Sequence, residues 1–178
     1  MYILLILLAI IIIYAISVYN NLVSQREFIR NAMSNIAAQI ESRWDAVKNL
    51  IDATKSYSEY ESNTLKAITD KRTSISENSS AREVEEDDQL FNRALTNIKA
   101  VAENYPDLKS NTLYIKTMDS VNEYENNVRM SRMVYNDTVT KLNRLILQFP
   151  SSIVAGIFGF KQEEYFKQSQ EKSEMPSW

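Results

Sequence analysis

The chain has 178 residues and a formal net charge of −3, and it contains two glycines, three prolines, no cysteine and no histidine. The missing cysteines exclude disulfides, thiolate chemistry and a lipidated cysteine anchor, and the missing histidines remove the commonest general base and transition-metal ligand. The weak acidity argues against nucleic-acid binding. We expect an all-α protein that is not an enzyme and has no cofactor and no metal.

The N-terminal segment is an uncharged apolar run, YILLILLAIIIIYAISVY, from Tyr2 to Tyr19. At 1.5 Å per residue, about 18 residues cross roughly 30 Å of hydrocarbon. A cleavable signal peptide is the alternative, because Ala15 and Ser17 are small residues. The run has no positively charged start and exceeds a usual signal core in length. We therefore predict a single-pass transmembrane helix that contacts the lipid bilayer through residues 2–19.

The flanking charges bear on orientation. The nearest downstream cations are Arg26 and Arg30. The positive-inside rule then favours an outside N-terminus and a helical domain on the cytoplasmic side of the cell membrane.

Apolar residues downstream recur at steps of three and four, which predicts a long amphipathic helix. The stripe comprises Leu22, Ile29, Met33, Ile36, Ile40, Trp44, Val47, Ile51, Leu65 and Ile68. No glycine or proline occurs between Tyr2 and Ile75, so the membrane helix can continue into this one as a single rod. A frayed joint at Asn20 and Asn21 is the alternative, because Asn is a poor interior helix residue.

A serine-rich and then acidic stretch, residues 74–88, predicts a loop followed by a helix N-terminus with Ser80 and Glu83 as a capping box. A calcium site is less favoured, because the acids are consecutive and lack the spacing of an EF-hand loop. The second helix carries Val84, Phe91, Ala94, Ile98, Val101 and Tyr105, and Pro106 ends it.

The third helix, opening near Asp107, has a coiled-coil-like heptad pattern that ends at Pro150. Its positions are Tyr114, Met118, Val121, Glu125, Val128, Arg132, Tyr135, Val139, Leu142, Ile146 and Phe149. A repeat averaging 3.5 residues predicts left-handed bundle packing. We divide the chain into a transmembrane anchor (1–20), a helical bundle (21–150) and a short C-terminal helix or flap with a tail (151–178).

Several segments resemble the LemA family of bacterial membrane proteins along nearly the whole chain. They are YNNLV (19–23), WDAVKNLI (44–51), AENYPDLKSN (102–111), RMVYN (132–136) and FPSSIVAGIFGF (149–160). The resemblance implies an N-terminal membrane helix continuing into an antiparallel four-helix bundle, and a function that is itself unsettled. Lys48 stands where the family usually has proline, which implies a straighter first helix, and Tyr60 stands where it usually has histidine.

Polar residues inside the apolar stripes are the candidate site residues. Glu125 and Arg132 lie seven apart on the third helix, and Arg26 and Glu61 interrupt the first stripe in the same way. An unpaired buried charge costs several kcal/mol, about 3–5 when a pair is broken, so we expect these groups to pair. We favour a structural polar network that sets helix register over a carboxylate–arginine ligand site.

Aromatic residues suggest an interface, because tyrosine is enriched where proteins meet and also suits half-buried core positions. The candidate interface residues are Tyr105, Phe158, Phe160, Tyr165 and Phe166. The element around residues 153–166 is either a flap over an open end of the bundle or a surface that docks on membrane or on a neighbouring subunit.

The leading functional hypothesis is a membrane-anchored interaction or scaffold protein that binds protein partners or forms a homo-oligomer. One alternative is a ligand-binding or hydrolytic module that uses the Glu125/Arg132 face. Another is a membrane-shaping homo-oligomer, in which a long rod splays subunits away from the bilayer.

Overall fold

The computed structural model describes residues 2–55, 57, 63, 65–67, 69–70, 72 and 74–167, and within them it is helical with no strand. Its helices are α1 (Tyr2–Thr54), α2 (Ala81–Asn104), α3 (Pro106–Lys109), α4 (Thr112–Leu147) and α5 (Ser151–Ile157). The prediction of an all-α fold with one long apolar N-terminal helix is therefore confirmed. Much of the segment between α1 and α2, including Ile68, lies outside the described residues.

Helix α1 is continuous for 53 residues, which corresponds to about 80 Å. It passes through Asn20 and Asn21 and also through Lys48 without interruption, so the alternative of a frayed joint is wrong. The packing that begins at Val18 and Leu22 offsets the low helix propensity of asparagine. The apolar side chains before this point are exposed, and this is the helix in the described chain that is long and apolar enough to cross a membrane.

Helix α4 packs along α1 in the opposite direction. Near its start, Asn111 Nδ2 donates to Tyr57 Oη at 3.2 Å, whereas beyond its end Phe158 contacts Tyr19. Helix α2 runs parallel to α1, because Asn78 lies beside Arg30 and Phe91 lies beside Trp44. The end of α4 therefore lies at the level where the apolar run of α1 finishes.

The predicted stripes form the core, but the first stripe does not lie on one helix, because α1 ends at Thr54, before Leu65. Buried members include Leu22, Ile36, Trp44, Val47, Ile51, Leu65, Val84, Phe91, Ile98, Val121, Val128, Val139 and Leu142. The heptad fails at two α4 positions. Glu125 is exposed, and Phe149 is 81% exposed because α4 ends at Leu147 before the repeat reaches it.

Helix ends follow local capping chemistry. The Ser80 hydroxyl accepts from Glu83 N, and Ser80 N donates to the Glu83 carboxylate at 2.6 Å, as the predicted capping box requires. Helix α2 ends at Asn104, because the residue before Pro106 is extended. The long third helix begins at Thr112 and not near Asp107. Pro106 starts the short α3, and Asn111 then accepts from Leu113 N at 2.8 Å and caps α4.

Candidate functional site: a buried charge network and a docked C-terminal segment

A buried network of charged groups joins α1, α2 and α4. From α1, Trp44 Nε1 donates to the two carboxylate oxygens of Asp87 on α2 at 3.0 and 3.1 Å. Arg43 Nη2 donates to Asp87 Oδ2 and to Asp88 Oδ1, each at 3.0 Å. From α4, Arg132 pairs with the other oxygen of Asp88. Asp87 and Asp88, which are adjacent on α2, thus pair with one arginine on α1 and one on α4.

Aromatic rings cover the guanidinium groups. The Arg43 guanidinium carbon lies 3.9 Å from the centre of the Phe91 ring, and Arg132 lies 4.9 Å from that of Phe166. Stacking on a ring and binding a carboxylate in the same place suits the planar guanidinium of arginine and not the ammonium of lysine. The network is therefore specific for arginine.

The Arg43–Asp87 half of the network is closed to water, since these residues are at most 2% exposed, whereas the side chains of Arg132 and Asp88 are about one fifth exposed. Burial raises the pKa of Asp87 above its ordinary value, opposed by the Arg43 charge and by the hydrogen bonds from Trp44 and Arg43. Each carboxylate is occupied by donors, while Nε of Arg43 and of Arg132 lack partners within the described residues. The arrangement can hold three helices in register, and it presents no free acid or nucleophile.

Of the four residues that the sequence predicted to form a polar network, only Arg132 lies in the network within the described part of the chain. Arg132 lies in the network, whereas Glu125 is exposed on the same helix and Glu61 is outside the described residues. Arg26 lies about 25 Å before Arg43 along α1 and sits over the Phe160 ring at 5.3 Å.

Sequence reasoning missed Arg43, Asp87 and Asp88. A signal was present, because the stripe of α2 jumps seven residues from Val84 to Phe91. Steps of three and four place Asp87 and Asp88 in that gap, on the buried face.

A second feature is the non-helical segment after α5, residues 160–167, which lies against α4. Asn143 Nδ2 donates to Glu163 O and Asn143 Oδ1 accepts from Glu163 N, both at 2.9 Å. Asn136 binds the backbone of Phe166 in the same two-way manner, at 3.1 and 2.9 Å. We call Asn136 and Asn143 the asparagine clamp.

The predicted interface residues fall into different environments. Phe166 is 3% exposed and packs edge-on against Tyr135 at 4.8 Å between ring centroids. Phe158 and Phe160 contact Tyr19, at 4.6 and 6.1 Å. Tyr165 is exposed and Tyr105 is half-buried. Their assignment to an interface stays a prediction.

Exposed apolar side chains gather where α4 meets α5. They are Leu147, Phe149, Ile153, Ile157 and Phe158, and we call them the apolar corner. Phe158 contacts Tyr19 at the end of the apolar run of α1, so the corner lies at the level where the candidate membrane helix ends.

No group of three or more Asp or Glu side chains within the described ranges has the arrangement of a metal site. Asp87 and Asp88, the acids nearest to one another in the core, face arginines.

One long helix with an exposed apolar N-terminal part, continuing into a helical bundle, defines a class of helical protein with one candidate membrane span. The model of the LemA family matches residues 32–177, and the chain belongs to this family. The family resemblance seen in the sequence is thereby confirmed.

Curated relatives include two magnetosome proteins, MamQ 1 and MamQ 2 of Paramagnetospirillum magneticum (strain AMB-1). Each is 26% identical to this chain over 176 residues, covering 84% of this chain and 65% of the relative. Protein LemA of Metamycoplasma hominis is 30% identical over 139 residues, covering 76% of this chain and 63% of the relative. The chain thus spans less than two thirds of the length of these relatives.

Proposed function

We propose that the protein is a membrane-anchored scaffold that holds protein partners, including other copies of itself, close to the bilayer. The observation that carries this proposal is the continuity of α1. Its apolar start is exposed as a lipid-facing helix would be, and from Leu22 onward the same helix is a central element of the core. A domain attached in this way has a fixed relation to the membrane, which suits a protein that positions others.

The apolar corner supports the placement of the domain directly on the bilayer. Phe149 and Ile157 are 81% and 74% exposed, and water contact of such side chains is unfavourable by about 25 cal/mol per Å². Because Phe158 contacts Tyr19, the corner meets the interfacial region whenever residues 2–19 span the hydrocarbon. We propose that it rests in the headgroup layer, with the N-terminus outside and the bundle in the cytoplasm.

The buried charges support a structural rather than a chemical task for the bundle. Asp87, Asp88, Arg43 and Arg132 bind one another, so these four groups are engaged in holding the helices together. The rigid core then leaves the outer helix faces as the surfaces for partners.

The test is the mass and shape of the full-length protein in detergent and in nanodiscs, measured by light scattering and electron microscopy. We expect a discrete assembly of several copies, or a monomer that crosslinks to a defined protein when crosslinking is done in native membranes. A monomer with no crosslinked protein partner would overturn the scaffold. Deformation of vesicles at high protein density would favour membrane shaping.

The ligand-binding or hydrolytic alternative receives no support from the Glu125/Arg132 face. Glu125 is exposed, while Arg132 binds Asp88. A cavity of about 120 Å³ lies elsewhere, between α1 and the loop before α2, with Glu41, Trp44 and Arg72 in its lining. It is smaller than the usual several hundred Å³ of small-molecule sites.

A further inference from the structure

The asparagine clamp matches the repeat of an extended chain. Asn136 and Asn143 are seven residues apart on α4, which is about 10.5 Å along the helix. Glu163 and Phe166 are three residues apart, which is about 10 Å in an extended chain. The segment therefore runs extended along α4, and each side-chain amide replaces the donor and acceptor that a neighbouring β-strand would offer.

Apart from the clamp, Phe166 anchors the part of the segment that lies along α4, while Phe160 at its start contacts Tyr19. Phe166 fills a pocket between Tyr135 and the Arg132 guanidinium, and Lys167 N donates to Glu85 Oε1 on α2 at 3.2 Å. Glu163, Glu164 and Tyr165 are exposed. Backbone hydrogen bonds combined with a single side-chain pocket are how many domains recognise extended peptides. The groove between α4 and α2 has this chemistry.

The segment is joined to α5 by a short exposed stretch. Gly159, with φ = +70°, ends α5, and Phe160 N donates to Ala155 O at 3.0 Å, so Phe160 stays with α5. Residues 161–162 are exposed and non-helical. A rotation there can carry residues 163–167 away from their own groove without disturbing the packing of α5.

We propose that the clamp and the Phe166 pocket form an exchange site that takes the C-terminal segment of a second copy of this chain. The proposal rests on the self-association proposed above and names its contact. A second copy is the occupant that matches every hydrogen bond and the pocket, because its segment has the same sequence. Anchoring in one bilayer concentrates the copies, which favours exchange, as in domain swapping.

The chain has no cysteine, so single cysteines can be introduced cleanly. We would co-express two differently tagged full-length chains, an acceptor with Glu85→Cys and a donor with Lys167→Cys, and join them in native membranes with a short bismaleimide. The matched control acceptor carries Thr96→Cys, at an exposed position of the same helix. We expect at least five times more crosslinked heterodimer with Glu85→Cys than with Thr96→Cys.

Variants placed in only one of the two chains separate exchange from misfolding. Asn136→Ala with Asn143→Ala should abolish the crosslink when carried by the acceptor and preserve it when carried by the donor. Phe166→Ala should do the reverse. A variant that merely unfolds its chain would lower the crosslink from either side.

A yield equal to the Thr96→Cys control, in membranes where a single chain with both cysteines crosslinks to itself, would overturn exchange. Light scattering on the same samples tests self-association separately. An assembly without the crosslink leaves self-association standing and rejects this contact, whereas a monomer rejects both.

Discussion

Asp87 shows how one carboxylate ties together two helices. It accepts from Trp44 and pairs with Arg43, and all three side chains are buried. Burial disfavours the ionised form of Asp87, whereas the donors from Arg43 and Trp44 favour it. Burial is the larger effect, so the pKa of Asp87 is raised above its ordinary value. A buried pair of this kind contributes little net stability compared with apolar packing, but removing one member leaves the other charge unpaired in the core.

Asp87→Asn should therefore destabilise the protein by about 3 kcal/mol, because Arg43 loses its fully buried counter-charge and keeps only the part-exposed Asp88, while the amide oxygen can still accept from Trp44. Denaturant unfolding of the solubilised full-length protein measures this change. Asp88→Asn is the control and should cost less, since that side chain is 21% exposed and water can screen its partners. Equal losses for the two variants would contradict this account.

Tyr135 gives a pH-dependent signal. Burial, and then the charges of Glu163 and Glu164, raise the pKa of Tyr135 to about 12. Its pKa in an unfolded chain is about 10, so the native state holds the proton more tightly. The stability due to this group is complete below about pH 10 and is lost as the pH rises toward 12.

We expect Tyr135→Phe to be less sensitive to alkali than the parent chain, as followed by helical circular dichroism between about pH 9 and 12. The absorbance difference between the two chains gives the titration of this residue. In the Phe166→Ala background that titration should move toward pH 10, because Tyr135 loses the burial that Phe166 provides and then the charges of Glu163 and Glu164 on the released segment. If the titration did not move, the docked segment would not be the cause of the raised pKa of Tyr135.

Capping fixes where α2 begins. Ser80→Ala should lower the free energy of unfolding by about 1 kcal/mol, because the Glu83 amide loses its acceptor. Ser74→Ala, at an exposed position in the preceding loop, is the control for denaturant unfolding. The hydrogen bonds from Ser80 lower the pKa of Glu83, so the contribution of that carboxylate is lost as the pH falls through the lowered pKa. This acid dependence should be weaker in the Ser80→Ala chain.

The element that joins α4 to α5 should lie in the lipid headgroup layer. A polarity-sensitive fluorophore on Ile157→Cys should emit as in an apolar medium in nanodiscs and be quenched by brominated lipid chains, because on the proposed placement the exposed apolar corner faces the bilayer. The same label on Thr96→Cys should report water. Water-like emission from both positions would reject the placement.

Elements were more predictable than their contacts. The stripes of α1 and α2 gave their buried faces, because spacing of three and four residues reflects one helix side. The start of the long helix α4 was predicted near Asp107, but Asp107 lies in the short α3. Helix α4 starts after Asn111, because that side chain caps it. The asparagine clamp could not be foreseen, since Asn136 and Asn143 look like ordinary surface residues until a distant segment is laid across them.

At the scale of the whole molecule, the direction of insertion is testable with the same cysteine-free background. With the N-terminus outside, Thr96→Cys should resist a membrane-impermeant maleimide in intact cells and react after lysis. A cysteine at Tyr2 should react in intact cells and serves as the matched control. Labelling of Thr96→Cys in intact cells would contradict the proposed orientation and indicate that the bundle lies outside.

On the proposed membrane placement, an unbroken α1 would act as a lever. Membrane helices are tilted by about 20° on average from the bilayer normal, and tilting is one way in which they adjust to bilayer thickness. The part of α1 beyond Asn20 is about 35 residues, or roughly 52 Å, so such a tilt displaces its far end sideways by about 18 Å. If residues 2–19 span the bilayer as proposed, a change of a few ångströms in lipid thickness would thus be magnified at Thr54, at the far end of the helix.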